Sequence, residues 1–335
     1  MAKYLLKRVL LALLTLVGVV VVAFVLTRLL PGNPAVVKAG AYAEPAVVQR
    51  LEEEMGLHQP IWVQFGTYAA RVARGDLGSS AITGQPVLTD ILQRFPATVE
   101  LATLSVLIAV LVGMPLGVLA AVFARSWVDR LAQAVVILGA SLPLFFTGLL
   151  IVYIFYFQLH IAPAPTGRTG AELAAPHAAT GFLTIDALMA GDLAGFGLVL
   201  GQLIWPALTL ASVTTGTLVK MTRHSMHDVL GADYIRTARA IGLPGWRIVV
   251  EDALPNALIP VLTSLGMTVG FLLAGNVIVE HIFAWPGLGS YAWNALLSND
   301  FDSIQGFILT IAIAFVAINL VIDLLYVVID PRIRL

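Results

Sequence analysis

Charged residues are clustered along this chain so that six long apolar stretches lie between them: Val9 to Thr27, Leu101 to Phe123, Leu131 to Leu159, Leu193 to Val219, Ala253 to Val279 and Ser303 to Ile329. A helix rises about 1.5 Å per residue, so about 20 residues cross a hydrocarbon layer about 30 Å thick. The runs hold 19 to 29 residues, and the pattern predicts six membrane-spanning helices. Asp323 is the one charge inside them. The first run follows Lys3, Lys7 and Arg8 in the manner of a secretory signal, but its 19 apolar residues exceed the usual core of about 7 to 15. It reads as an uncleaved anchor. The Ala41-Tyr42-Ala43 triplet lies 14 residues past Thr27, too far for ordinary processing.

The intervening segments carry weaker patterns. From Glu44 to Arg74, Val47, Val48, Leu51, Met55, Ile61, Phe65, Tyr68 and Val72 recur at helical spacing, which predicts short helices on the face of the membrane. Gly75 to Ser80 is turn chemistry. Segment 160 to 192 is irregular, with Pro163, Pro165, Gly167 and Gly170, before a short amphipathic piece from Phe182 to Met189.

Composition agrees with lipid as the solvent. Apolar residues make up 59% and charged residues 12%, whereas a soluble surface needs roughly 25% charged. The mean hydropathy is +0.91. A net charge of −1 leaves no basic field for nucleic acid, so no nucleic-acid partner is expected. The absence of cysteine excludes disulfides, thiolate zinc sites and iron–sulfur clusters. With the N-terminus inside, the inner pieces 1 to 8, 124 to 130, 220 to 252 and 330 to 335 total 54 residues and hold 12 of the 19 Lys and Arg. The outer loops 28 to 100, 160 to 192 and 280 to 302 total 129 residues and hold 7. The positive-inside rule therefore predicts that both termini are cytoplasmic.

Transport needs an energy source, and the chain contains no Gly-x-x-x-x-Gly-Lys-Ser/Thr loop to cradle phosphates. With Asp323 as the only ionisable residue within a run, ion coupling lacks its usual relay. A passive channel, a scaffold, or a permease driven by a separate motor remains. The inner loop 220 to 252 bears on the choice. Met226, Val229, Leu230, Ile235, Ala238 and Ile241 recur at helical spacing, which predicts one helix ended by Gly242 in a left-handed cap, with Pro244 preventing its continuation. A second short helix around Trp246 to Glu251 is expected to lead to Pro255 and the fifth span. By amphipathicity alone, this could be a hairpin lying on the membrane surface.

The loop resembles the EAA loop of binding-protein-dependent ABC importer permeases: Glu-Ala-Ala, three residues, Gly, nine residues, Ile, one residue, Leu-Pro. Ala238, Gly242 and Leu254-Pro255 fit that pattern; Arg236, Thr237 and Asp252 depart from it. Tyr234 to Gly242 is similar to the version in the dipeptide and oligopeptide branch. Leu30-Pro31-Gly32-Asn33-Pro34, Gly75-Asp76-Leu77-Gly78, Ile282 to Gly289 and Asp330-Pro331-Arg332-Ile333-Arg334 resemble the same branch, so nearly the whole chain is covered.

The resemblance implies an all-α membrane protein of the type I ABC importer permease class in a bacterial inner membrane. It implies an accessory region at 1 to 95, comprising the anchor helix and long first extracytoplasmic loop, and a transmembrane domain at 96 to 335 with the coupling loop 220 to 252. The implied partners are a homologous second permease subunit, two ABC ATPase subunits, an extracytoplasmic peptide-binding protein and membrane lipid. ATP and magnesium would be bound by the ATPases, so this chain needs no cofactor and is not an enzyme.

Coupling to the motor would fall to Tyr234, Ile235, Arg236, Thr237, Ala238, Arg239, Ala240 and Gly242. The small residues would allow close approach and the arginines would pair with acids, although each arginine could equally be a solvated charge. Asn319 and Asp323 share a helix face with Tyr326, and Asn276 and Glu280 close span five. These four are candidates for the path or a gate. The structural alternatives are Asp323 facing the bundle or reaching Arg332 or Arg334, and Glu280 pairing with the Trp285-Pro286-Gly287 turn. Gly113-x-x-x-Gly117 and Gly266-x-x-x-Gly270 read as close helix packing. Substrates open to such a permease are dipeptides, longer peptides, glutathione, haem or nickel complexes, and a non-ABC channel or scaffold is the alternative class.

Overall fold

The computed structural model describes residues 2–40, 42–170, 179–275 and 277–329. Their regular structure is helical apart from one antiparallel bridge between Ser79 and Pro86. The anchor α1 (Ala2–Leu29) precedes three surface helices, α2 (Pro34–Ala39), α3 (Pro45–Glu54) and α4 (Ile61–Ala73). Next come α5 (Val87–Val122), α6 (Trp127–Ser141), α7 (Leu144–Ile151), which runs on as a π-helical turn (Val152–Gln158), and α8 (Leu183–Met189). The remainder is α9 (Leu193–Leu230), α10 (Asp233–Ala240), α11 (Gly245–Arg247), a π-helical segment (Ile248–Ala253), α12 (Leu254–Gly275), α13 (Val277–Ile282), α14 (Leu288–Leu297) and α15 (Phe301–Ile329). The chain forms two compact units, one of Met1–Pro96 with Pro286–Ala317 and one of Ala97–Trp285 with Ile318–Leu335.

Among the described residues five helices are long and apolar enough to cross a membrane, and a sixth crossing is available as the pair α6 and α7. The expected six-span all-α architecture follows. Large apolar side chains lie on the outside of these helices, Leu14 at 68%, Leu111 at 65% and Phe271 at 65% exposed, as hydrocarbon requires and water would not tolerate over so wide a surface.

Two spans differ from the simple runs. The stretch from Leu131 to Leu159 is not one straight helix: it begins at Trp127 and bends by 106° after Ser141. Pro143 explains the break, because a proline excludes the helical conformation from the residue before it. Leu142 is accordingly extended, with φ −92° and ψ 127°. The short inner helix expected around Trp246 to Glu251 runs into span five without a break, since α11, the π-helical segment and α12 are continuous. Pro255 has no N–H for the regular ladder, and the widened turn just before it carries the chain past that missing bond.

In the second unit α9 is the common neighbour. On α5, a Cβ at Gly113 would lie 3.2 Å from the Thr215 carbonyl oxygen, and one at Gly117 would lie 2.9 Å from that of Val219. On α6, a Cβ at Gly139 would lie 2.7 Å from the Ser212 carbonyl oxygen. Backbones this close leave room for hydrogen only, which is how helices associate where burying apolar surface brings no gain. Gly266 on α12 is closed in the same way by Ile322. The two Gly-x-x-x-Gly readings thus describe real contacts at Gly113, Gly117 and Gly266.

In the first unit the periodicity of 44 to 74 is realised as α3 and α4, and Gly75 and Gly78 turn the chain with φ of 78° and 87°. Val87 and Ile91 of α5 pack with Leu288 and Tyr291 of α14. The buried Asp300 accepts from the Ser80 hydroxyl (2.6 Å), the Ala81 N–H (2.9 Å) and the Ser303 hydroxyl (2.8 Å). Tyr291 in turn donates to Ser303 at 2.8 Å. Replacing Gly117 by Val should lower stability by about 1 to 3 kcal/mol through overpacking, and Gly113→Ala should do less. Thermal unfolding in detergent checks this; a Gly117→Val variant as stable as wild type would show that α5 and α9 do not pack at this distance.

Candidate coupling surface and buried polar locks

The segment singled out by sequence is built around a short helix with two unlike faces. The expected single helix through Gly242 is interrupted: α9 stops at Leu230, Ala232 is extended (φ −70°, ψ 153°), and α10 starts at Asp233. Gly231 is the point where helix propensity fails. At its other end α10 closes as expected on Gly242, with φ of 81°. The Gly242 N–H donates to the Arg239 carbonyl (3.1 Å) and the Leu243 N–H to the Ala238 carbonyl (3.2 Å), the paired bonds of a Schellman cap.

Ile235 and Ala238, three residues apart, lie on one face of α10 and are buried with Met226, Ile248, Ala253, Ala257 and Ala121. They therefore hold the helix to its own chain rather than offering themselves to another. Tyr234, Arg236, Thr237, Arg239 and Ala240 are exposed, as are Ile241 at 71% and Trp246 at 66%. Arg236 pairs with Asp233 at 3.2 Å, both well exposed. An added Cβ at Gly242 would meet nothing within 4 Å, so within this chain only the left-handed backbone restricts the position.

Two connections brace this surface. Ser225 on α9 donates to the Ala257 carbonyl of α12 at 2.8 Å, in the interior. Asp129 at the start of α6 is buried and takes both arms of Arg223 on α9, at 2.7 and 3.1 Å, with the Arg125 N–H at 3.0 Å and Gln133 at 3.1 Å. Ser126 caps the same helix end by accepting from the Val128 and Asp129 N–H groups. Sequence reasoning missed this clamp, although Ser126-x-x-Asp129 is a capping-box pattern and Asp129 is the one acid in segment 124 to 130.

The gate candidates separate. Glu280 on α13 is fully buried and accepts from the Thr98 hydroxyl at 2.7 Å. The Trp285 N–H donates to the Glu280 carbonyl at 2.7 Å, and the Trp285 indole donates to the Ala97 carbonyl at 2.9 Å. The Glu280 side chain thus joins α13 to α5 through Thr98, while its backbone carbonyl holds the Trp285 N–H. Nearby in sequence to Thr98, the buried Glu100 accepts from Arg168 and from the Thr184 N–H (2.9 Å) and hydroxyl (2.6 Å). Asn319 and Asp323 are partly exposed on α15. Asn276 lies outside the described residues, as do Arg332, Arg334 and the side chain of Tyr326. Asp186 of α8 is buried, which alone would raise its carboxyl. Hydrogen bonds from the Thr180 hydroxyl and N–H and the Gly181 N–H outweigh that and hold it below the ordinary carboxylate value.

Helices long and apolar enough to span a membrane, packed around glycines, with an anchored but exposed surface helix between two of them, define a multi-pass membrane protein. Residues 113–335 match the family described as the binding-protein-dependent transport system inner membrane component, and residues 1–102 match the N-terminal segment of such membrane components. The chain belongs to this family. It is 46% identical over 320 residues to the probable D,D-dipeptide transport system permease protein DdpB of Escherichia coli (strain K12), covering 96% of this chain and 94% of that protein. It is 38% identical over 334 residues to the dipeptide transport system permease protein DppB of Alkalihalophilus pseudofirmus, covering 100% of both. It is 37% identical over 334 residues to the glutathione transport system permease protein GsiC of Salmonella paratyphi A, covering 100% of this chain and 99% of that one. Membership makes it a membrane component that works with a substrate-binding protein and ATPase subunits.

Removing the Asp129 clamp should be felt at the coupling surface. Arg223→Ala leaves a buried carboxylate without its cation, at a cost of about 3 kcal/mol. The expected result is a lower unfolding temperature with membrane insertion intact, because insertion depends on the hydrophobicity of the spans. An unchanged unfolding temperature would make the clamp incidental.

Proposed function

We propose that this chain is one of two homologous permease subunits of an ATP-driven importer that passes dipeptides or short oligopeptides across the inner membrane. Two ATPase subunits bind ATP and magnesium, and one of them docks on the exposed face of α10 and drives the spans. Residues 1–95 act as an accessory region and 96–335 as the transmembrane domain, whose coupling loop is 220–252. The similarity along the full length to dipeptide permeases carries the substrate class. The observation that carries the docking assignment is the split of α10: Ile235 and Ala238 are sunk in the chain's own core, while Tyr234, Arg236, Thr237, Arg239 and Ala240 are left outside. A helix held by one face and bare on the other transmits a push in either direction. The second reading, glutathione, is favoured by the GsiC relative. Uptake of labelled Ala-Ala in competition with unlabelled glutathione separates the two.

The excess of basic residues in the inner pieces supports a cytoplasmic position for both termini; in that orientation α10 faces the ATPases, and the loop from Glu44 to Arg74 and segment 160–192 face the binding protein. Arg168 in that segment is already engaged by Glu100 and the Gly181 carbonyl, so docking falls to its other residues. A tag at the C-terminus should be inaccessible to a protease added to intact spheroplasts; cleavage there would reverse the orientation.

The coupling assignment has its own test. Gly242→Val forces a β-branched residue into left-handed geometry, straining the cap by about 1 to 3 kcal/mol, and should abolish peptide uptake or ATPase co-purification while leaving membrane levels normal. Charge reversal at Arg236 or Arg239 should act more weakly, since exposed pairs contribute about 0 to 1 kcal/mol. Wild-type uptake and co-purification for Gly242→Val would remove α10 from the coupling route.

A further inference from the structure

In the second unit α6 and α9 meet at two levels. At the upper one, a Cβ on Gly216 would lie 3.5 Å from the Val135 carbonyl oxygen and 3.5 Å from the Val136 Cα. At the lower one, two turns further along α9, Arg223 reaches across to Asp129. Between these levels lies a cavity of about 460 Å³, whose lining includes Val136 and Ile137 of α6 with Lys220, Met221, Arg223 and His224 of α9. That volume lies within the range that holds ligands.

The charges there do not balance. Lys220, Arg223 and His224 share one face of α9, three and four residues apart. Arg223 gives its Nε and Nη2 to Asp129, and its Nη1 has no partner among the described residues. Lys220 is exposed and has no hydrogen bond or ion pair among them. His224 is turned toward Asp228, at 3.6 Å. No acid lines the cavity, so Asp129 answers one of two fixed cations and the other is unmet. Depth adds a second constraint. Lys220 is the first charge after the apolar run of α9, and Trp127, which opens α6, is 73% exposed, as aromatics at the headgroup level are. The cavity thus lies where hydrocarbon gives way to headgroups, with Ile137 and Lys220 both exposed at its rim.

We propose that this cavity binds the phosphate of an anionic phospholipid, with Lys220 and the Nη1 of Arg223 donating to its oxygens and an acyl chain along Val136, Ile137 and Met221. Basic pockets between spans at this depth suit such headgroups. A free phosphate would satisfy the cations but leave the apolar wall bare. A zwitterionic phospholipid would bring a further cation beside Lys220 and Arg223, so the site selects phosphatidylglycerol over phosphatidylcholine. The inference does not depend on what is imported, nor on which way the chain is inserted, since both leaflets end in phosphates.

The test is photocrosslinking of the assembled complex in nanodiscs, using phosphatidylglycerol or phosphatidylcholine with a diazirine in the acyl chain and locating adducts by peptide mass spectrometry. In the wild type, labelling of residues 132–137, taken relative to the rest of the chain, should favour phosphatidylglycerol by about fivefold, the factor one basic residue adds at an anionic membrane surface. Lys220→Gln, which leaves the Arg223–Asp129 pair in place, should bring that ratio close to one. The wild-type comparison needs no variant and decides alone if Lys220→Gln fails to assemble. Equal labelling by the two lipids in the wild type, or an unchanged ratio in Lys220→Gln, would overturn the proposal. So would the absence of adducts at 132–137 from either lipid, which would show that another subunit covers the cavity. Loss of the preference on adding excess inorganic phosphate would overturn the lipid source and assign the cavity to a soluble anion.

Discussion

Hydrocarbon offers no hydrogen bond to a peptide group, and most of this structure follows from that one lack. Each crossing must satisfy its own backbone, so each is a helix. Two departures from regular helix occur where a proline supplies the reason: extended Leu142 ahead of Pro143, and the widened turn at 248–253 ahead of Pro255. Because lipid tails are as apolar as leucine, the helices gain little from hiding leucines from each other. They meet instead where side chains are missing, at Gly113, Gly117 and Gly139 along α9.

The polar residues that remain inside do a different job from the glycines. Asp129 with Arg223, Glu100 with Arg168 and Thr184, Glu280 with Thr98, and Asp300 with Ser80 and Ser303 each join segments distant in sequence. A misregistered helix would strand one of these carboxylates without partners, which is far more costly than a misplaced leucine. Apolar packing holds the bundle together, and these locks specify which residues meet.

How much of this could be read beforehand depends on whether the signal was local. The spans, the surface helices from 44 to 74, the turn at 75 to 80 and the Gly242 cap were legible because hydrophobic runs, periodicity and turn residues are written within a few positions of each other. The bend at Pro143 and the break at Gly231 were also written locally and were passed over, since an unbroken apolar run outweighed one proline and an amphipathic pattern outweighed one glycine. The buried locks were not legible. Glu100 and Arg168 are 68 residues apart, and no spacing rule connects them. The coupling residues were found as a segment, but which of them face inward required the packing of Ile235 and Ala238 against Met226 and Ile248.

The length of α9 has a consequence of its own. Its 38 residues make a rod about 57 Å long, nearly twice the thickness of the hydrocarbon, uninterrupted from Leu193 to the residue before the turn into α10. Each residue also sets an angle, about 100° per step. One uncharged residue added or removed between Lys220 and Arg223 would leave charge and span count unchanged, yet swing Arg223, Ser225 and Met226 a quarter-turn or more away from Asp129, Ala257 and Ile235. The rod thus stores a rotational phase, and a single-residue change in its length is a change of direction for everything attached to its end.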